Sequence, residues 1–400
     1  MHWNPSLKIT GLGLAMMMVA AQAGAAQATP APIEVQVPAV SQGALQAVPD
    51  VAIEQYVSEY KVGHEKARRN LALQTDLRAV EVQASAAAGR RLVGTWLHHG
   101  DTPRLEMRLS RGARDEALER RLRGLSPLAT VTYGVQEEQD ELAARASAAL
   151  QEMGGLSSHV LTLAVEGASG ALRVEVSADV SVVEVQEAFA TALQAGTYEE
   201  IHVVPVAGGA GDTNSGGLAT TSCTTGFSVR NSSGTSGLLT AGHCNNTQSY
   251  SLYGFPGTYA MTYRAEVRSA NADLQWHTIS GTVYPRFYGN STSTPTTLTA
   301  STPRSSQGGR AVCRRGKASG YDCGTVTSTS AQPTWTDACP GTTCASTWIS
   351  VNIGTIGGDS GGPWWSGGSA YGIQKGGSSS STIYMPVDYI GTLGVAVFYG

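Results

Sequence analysis

A chain of 400 residues has room for two or three domains of ordinary size. Hydrophobic residues make up 41%, enough for a sizeable core, which excludes a disordered chain; charged residues reach only 14%, below the roughly 25% of an ordinary globular protein. The net charge of -4 provides no basic field, which excludes nucleic acid as the main partner.

The averages conceal two differently built halves. Residues 29–207 carry 16 Lys+Arg against 24 Asp+Glu, whereas residues 208–400 carry 10 against 7. All six cysteines fall between Cys223 and Cys344. An even cysteine number suits an oxidising compartment in which disulfides persist.

In chain order, Lys8 gives a weak positive start, Ile9 to Ala21 is a short apolar run, and Ala23-Gly24-Ala25 and Ala26-Gln27-Ala28 offer small-x-small cleavage sites. Residues 1–28 therefore read as an export signal; a membrane anchor is the weaker reading, because the run is short and leads into small residues. The mature protein is expected to be secreted, with no membrane contact once the signal is removed.

Residues 29–207 read as an α+β region. Asp115 to Gly124 and Glu137 to Met153 are rich in Ala, Leu, Glu and Arg and end near glycine, as helices do, and Val182 to Leu193 is a third helical stretch. Leu161 to Val165 and Leu172 to Val176 alternate in the manner of strands. The Arg/Glu mixture of Arg111 to Arg123 fits a solvated helix face. His98-His99 reads as a surface pair, with no third metal ligand at helical spacing.

Residues 208–217 are a glycine-rich linker, and the accessible stretch Val206 to Gly217 is the expected place of cleavage. Beyond it, Gly226 to Arg230, Leu238 to Ala241, Trp348 to Ile353 and Ala370 to Gln374 are short β-prone runs between glycine-rich turns, the pattern of an all-β barrel or sandwich. Asn290 to Gln307 reads as a long loop or poor edge strand.

Two histidines follow the linker, His243 and His277. His243 lies in Thr240-Ala241-Gly242-His243-Cys244, where small neighbours and an adjacent cysteine suit a fixed imidazole. Ser360 lies in Gly357-Gly358-Asp359-Ser360-Gly361-Gly362-Pro363, where glycines permit a tight turn that exposes a hydroxyl and aims backbone N–H groups inward. A serine hydroxyl needs a base, and an imidazole acting as base needs a carboxylate to fix its tautomer. Asp273, in Asn271-Ala272-Asp273-Leu274, sits between them in sequence, in an apolar, strand-like setting. His277, in a Trp-His-Thr strand pattern, reads as structural. The G-x-S-x-G pattern also suits the nucleophile elbow of α/β-hydrolases, but that fold requires a histidine after the serine and none follows Ser360.

These motifs, in the order His, Asp, Ser, resemble the chymotrypsin-like serine proteases over residues 218–400. The short spacing from His243 to Asp273, the segment Cys313 to Gly324 and the tail Pro386 to Tyr399 are similar to the bacterial branch of α-lytic protease and the streptogrisins. The resemblance implies two six-stranded antiparallel Greek-key barrels, preceded by a pro-region (residues 29–207) that assists folding and inhibits. It implies His243, Asp273 and Ser360 as the catalytic set and the Gly358 and Ser360 N–H groups as the oxyanion hole. Gly376 and Gly377 would bind substrate. Asp359 would be buried in an ion pair with Arg314, with Arg315 or a new N-terminal amine as alternatives. No metal or organic cofactor is implied, the partners are protein or peptide substrates and the chain's own pro-region, and the mature domain is expected to be a monomer.

Six cysteines permit fifteen pairings. The resemblance implies Cys223–Cys244 and Cys313–Cys323, which leaves Cys339–Cys344 by elimination. The resemblance implies that the pocket for the residue before the scissile bond is built from the strand leading to Ser360 and the Gly376-Gly377 region; no acid occurs from Asn352 to Gly358, so the preference it implies is for small to medium apolar side chains. The sequence departs from the bacterial relatives at Lys375, where they usually have a serine that touches the catalytic aspartate. Lys375 is expected either to point away on the edge strand or to lie at the pocket mouth and favour acidic side chains. The competing reading of the whole is a secreted binding module on a protease fold.

Overall fold

The charge order of the segment after Arg114 explains its helix. Asp115 caps Glu116–Arg123 by accepting from the Leu118 N–H, acids fill the first turn and Arg120, Arg121 and Arg123 the last, each matched to the helix dipole. Val135–Glu152 and Val182–Ala192 form near the expected bounds, the latter capped by Ser181. The longest helix, His64–Ala88, buries Ala67, Leu71, Leu73, Leu77 and Ala84. In this computed structural model the described residues are 39–193, 200–206, 211–212, 218–253, 257–280, 282–292 and 295–400. The expected export signal and, apart from residues 211–212, the linker lie outside the described residues. No described helix is long and apolar enough to cross a membrane.

The N-terminal part carries two small sheets. Leu92–His98, Arg104–Leu109 and Ala129–Tyr133 make one, with an antiparallel and then a parallel pairing. Val160–Val165, Leu172–Ser177 and Ile201–Val206 make the other. The Arg/Glu run behaves as a solvated face: Arg111 pairs with Glu141, and Arg114 and Arg123 converge on Glu119. The two histidines are not a free surface pair. His98 Nε2 lies 2.9 Å from Glu106, while His99 lies 3.0 Å from the Tyr56 hydroxyl and 2.6 Å from the Gly309 carbonyl, partners too distant in sequence to foresee.

The C-terminal part is almost wholly β. Six strands pair in the order Gln248–Tyr250, Tyr259–Arg268, Asp273–Ile279, Ser236–Thr240, Ser228–Asn231 and Val395–Val397, all antiparallel, so the chain's last strand returns to the first unit. The second unit runs Ala311–Gly316, Pro363–Ser366, Ser369–Gly377, Thr382–Pro386, Trp348–Val351 and Gly320–Pro333, and the pairing of the last with the first closes a six-stranded antiparallel barrel. The pairings thus yield two six-stranded antiparallel units, one of them a closed barrel; among the described residues no pairing closes the other. Asn290 to Gln307 forms only two-residue strands and a 3-10 turn, in keeping with its Ser/Thr-rich sequence.

The two parts share strands and core. Gln332 and Pro333, at the end of the long strand Gly320–Pro333, pair with Leu163 and Thr162, so the small sheet extends the closed barrel. Gln74 bonds both backbone groups of Ala311, at 2.8 and 3.0 Å, and Glu81 forms a buried ion pair with Arg310. Trp96 packs against Gly167, Gly308 and Gly309, where an added Cβ would come within 2.0, 2.1 and 2.9 Å of its indole. Ala52, Ile53 and Leu71 lie in one apolar cluster with Phe227, Leu239, Trp276 and Ile373. Burial of this kind contributes about 25 cal/mol per Å² of apolar surface, which makes the N-terminal part integral to the folded chain.

Candidate active site

The strand Ser236–Thr240 delivers His243 through a turn held from below: Gln275 donates to the Ala241 carbonyl at 2.8 Å and to the Cys244 carbonyl at 2.7 Å. Gly242 has to be glycine, because a Cβ there would sit 2.8 Å from Asp273 Oδ1 and 2.8 Å from the Leu274 nitrogen. That clearance lets Asp273 take two bonds from one residue. Its Oδ1 accepts the His243 backbone N–H at 2.9 Å, and its Oδ2 lies 2.5 Å from His243 Nδ1. A ring nitrogen facing an acceptor-only carboxylate carries the proton, which leaves Nε2 as the basic atom.

Asp273 opens the strand Asp273–Ile279 and is 3% exposed. Burial alone would push its carboxyl up, but the His243 and Lys375 charges and hydrogen bonds outweigh this and hold it well below the usual carboxylate range. The Lys375 ammonium reaches Asp273 Oδ2 at 2.7 Å, and Arg268 Nε lies 3.8 Å from Oδ1. Lys375 therefore meets neither expectation for its side chain. It does not point away on an edge and does not stand at a pocket mouth; it is 1% exposed and turned inward onto Asp273. The cause is local: the pairing of Ser369–Gly377 with Thr382–Pro386 slips between Gln374 and Gly376, and such a bulge re-aims the side chain at the slip.

Ser360 sits in a turn with Gly358 at φ +121° and Gly361 at φ +84°, backbone states that a side chain would strain. A Cβ on Gly361 would also meet Thr240 Oγ1 at 2.3 Å, so this turn packs directly against the strand that leads to His243. Ser360 Oγ donates to the Lys375 carbonyl at 3.0 Å, and the hydroxyl is fully buried in the described chain. Beneath it Asp359 accepts from Arg314 at 2.8 Å, from Thr355 Oγ1 at 3.0 Å, from the N–H groups of Ala318 and Ser319, and from Ser319 Oγ. Arg315 goes elsewhere, to the Gly289 carbonyl.

Gly376 and Gly377 pair antiparallel with Asp212 and Gly211, so the chain's own linker lies on the strand expected to bind substrate. Just past that strand, Glu175 of the N-terminal part takes hydroxyl bonds from Ser378, Ser380 and Ser381 at 3.3, 3.3 and 2.7 Å. No feature of the sequence marks this contact, since its two sides are some two hundred positions apart. His277 is separate from the site: its Nε2 lies 2.6 Å from Gln275 Oε1, and burial lowers its pKa to about 4.

The three disulfides join Cys223 to Cys244, Cys313 to Cys323 and Cys339 to Cys344. Cys223, His243 and Cys244 form the one close group of metal-ligating side chains among the described residues, and the disulfide removes its two thiolates.

No family model matches the chain. Among solved structures it is similar to a Nocardiopsis protease, NAPase, at 26% identity over 46% of this chain and 97% of that one, with a TM-score of 0.37. Similar too are Thermobifida fusca protease A, at 27% identity over 46% and 98% of the two chains with a TM-score of 0.37, and Cellulomonas bogoriensis chymotrypsin, at 24% over 46% and 98% with a TM-score of 0.35. These neighbours are bacterial chymotrypsin-like serine proteases, the family that the sequence motifs resemble.

Proposed function

We propose that the chain is the precursor of a secreted serine endopeptidase. The observation that carries this reading is the pair of hydrogen bonds that Asp273 accepts from His243, through ring and backbone, beside a serine on a glycine-bounded turn. Ser360 Oγ attacks the peptide carbonyl carbon while His243 Nε2 takes the hydroxyl proton. The tetrahedral oxyanion lies against the N–H groups of Gly358 and Ser360, donors of a kind worth roughly 10²–10³ in rate. The intermediate collapses, the amine leaves with the proton from His243, and water releases the acyl group by the same steps in reverse order. No step calls for a metal or an organic cofactor.

Residues 29–207 serve as a pro-region that helps the slow-forming β domain to fold and keeps it closed, and residues 1–28 direct export. The pairing of Gly211–Asp212 with Gly376–Gly377 supports both inhibition and self-cleavage, since a substrate backbone would use the same edge. The mature domain, residues 218–400, acts as a monomer.

An organophosphorus reagent tests the central claim. One equivalent should bind at Ser360, and His243→Ala should abolish labelling. A folded, processed chain that takes up no reagent would be a binding module instead. Specificity is a separate expectation. With no acid from Asn352 to Gly358, and with Lys375 held on Asp273, a peptide library should be cut after small to medium apolar residues. Dominant cleavage after Lys, Arg or Glu would overturn this preference.

A further inference from the structure

Among the described residues, Lys375 is the one ammonium that shares a carboxylate oxygen with the candidate base. Its side chain is fully buried, and its Nζ lies 2.7 Å from Asp273 Oδ2, the atom that also faces His243 Nδ1 at 2.5 Å. The same residue's carbonyl accepts from Ser360 Oγ at 3.0 Å, and its ammonium stands 5.9 Å from the centre of the Trp348 ring. One residue therefore touches two members of the proposed catalytic set, from opposite ends.

We infer that Lys375 is a positioning residue that holds Asp273 with its ammonium and thereby extends activity to lower pH. This rests on the serine endopeptidase reading. With His243 neutral, Asp273 and Lys375 form a balanced pair. Protonating His243 adds a second cation against the same oxygen, and that repulsion is strong because the pair is dry. Removing the Lys375 charge takes that repulsion away, so activity should then fail at a higher pH. The other charged groups around the trio change this little. Arg268 lies 3.8 Å from Asp273 Oδ1 but is partly solvated, and Asp359 and Arg314 form a closed pair of their own. In the precursor, Asp212 also pairs through its backbone with Gly376, and maturation removes it.

The test compares the wild-type protein with Lys375→Met, which keeps the stem without charge or donor, and Lys375→Gln, which keeps a donor without charge. kcat/KM on a soluble peptide amide is followed against pH, together with the rate of phosphonylation at Ser360. Both variants should move the acid limb upward by about 1–2 pH units, which below both limbs is a roughly 10–100-fold relative loss. Unmoved limbs, or an equal loss at every pH, would overturn the inference, as would a shift in Lys375→Met that Lys375→Gln reverses, because the hydrogen bond rather than the charge would then be at work.

A second measurement needs no variant. In the folded wild-type chain an amine-reactive reagent should modify the exposed Lys317 about a hundredfold faster than Lys375, which reacts only on local opening. Equal rates would contradict the buried ammonium whether or not the variants mature. A wild-type Ser360 that fails to take up the phosphonate would sink the endopeptidase reading itself, a result distinct from labelling with an unmoved acid limb.

Discussion

Ser360→Ala is expected to accumulate as one uncut chain, with peptide hydrolysis reduced by roughly 10⁵–10⁶, because the base and the carboxylate have nothing to act through once the hydroxyl is gone. The reasoning joins folding to chemistry. Both β units are assembled from strands distant in sequence, the last strand Val395–Val397 pairing with Ser228–Asn231, so the domain closes late and slowly. A partner that supplies an extra strand against Gln332 and Pro333 and core residues such as Ile53 and Leu71 favours the closed state before the chain is cut. With Gly211–Asp212 already on the substrate strand, the first cleavage is expected from the chain's own serine within Val206 to Gly217. Purified Ser360→Ala should stay intact and be cut when active wild-type protein is added. Processing of the purified variant at the wild-type rate would remove self-cleavage from the account.

The parts of this site that the sequence makes legible are those with one physical solution. A histidine after Ala-Gly, a serine on a glycine-bounded turn and an acid opening an apolar strand each need a particular backbone; His243 bonds Asp273, and Gly358 and Gly361 flank Ser360 at positive φ. For Asp359, the need of a buried carboxylate for a cation left several partners open, and the resemblance, through an arginine just after a cysteine, pointed to Arg314, which pairs with it. The place of Lys375 was not legible. The strand Ser369–Gly377 is buried along nearly its whole length, so alternation carries no information about facing, and the bulge that turns Lys375 inward depends on pairing with Thr382–Pro386. The contacts of His99 and Glu175 were hidden for a related reason. Each depends on the N-terminal part docking on the barrel, which composition describes only as a helix-rich segment followed by a linker.

Arg314→Met should destabilise the fold by about 3–5 kcal/mol at neutral pH, the usual result of leaving a buried charge without its partner. Asp359 is fully buried, and its other donors, from Ala318, Ser319, Thr355 and Ile356, are hydroxyls and N–H groups that carry no net charge. Gly316 makes the room that the carboxylate occupies, since a Cβ there would lie 2.0 Å from its oxygen. In the wild-type chain burial would raise the Asp359 carboxyl, and the Arg314 charge with the Ser319 and Thr355 bonds brings it below its ordinary value of 3.8. A carboxyl lowered on folding contributes stability above its unfolded pKa and loses it as pH falls through the folded one. The pair's contribution is therefore complete at pH 5 to 7 and fades below about pH 4. The penalty of Arg314→Met should shrink over that same acid range, because protonated Asp359 no longer needs a cation. Urea unfolding in a Ser360→Ala background, which prevents self-digestion, reads this directly. Arg315→Met should cost less, since Arg315 bonds a neutral carbonyl at Gly289 and leaves no charge behind. A larger loss from Arg315→Met than from Arg314→Met, or an Arg314→Met penalty that does not shrink below pH 4, would show that Asp359 is held by something other than the Arg314 charge.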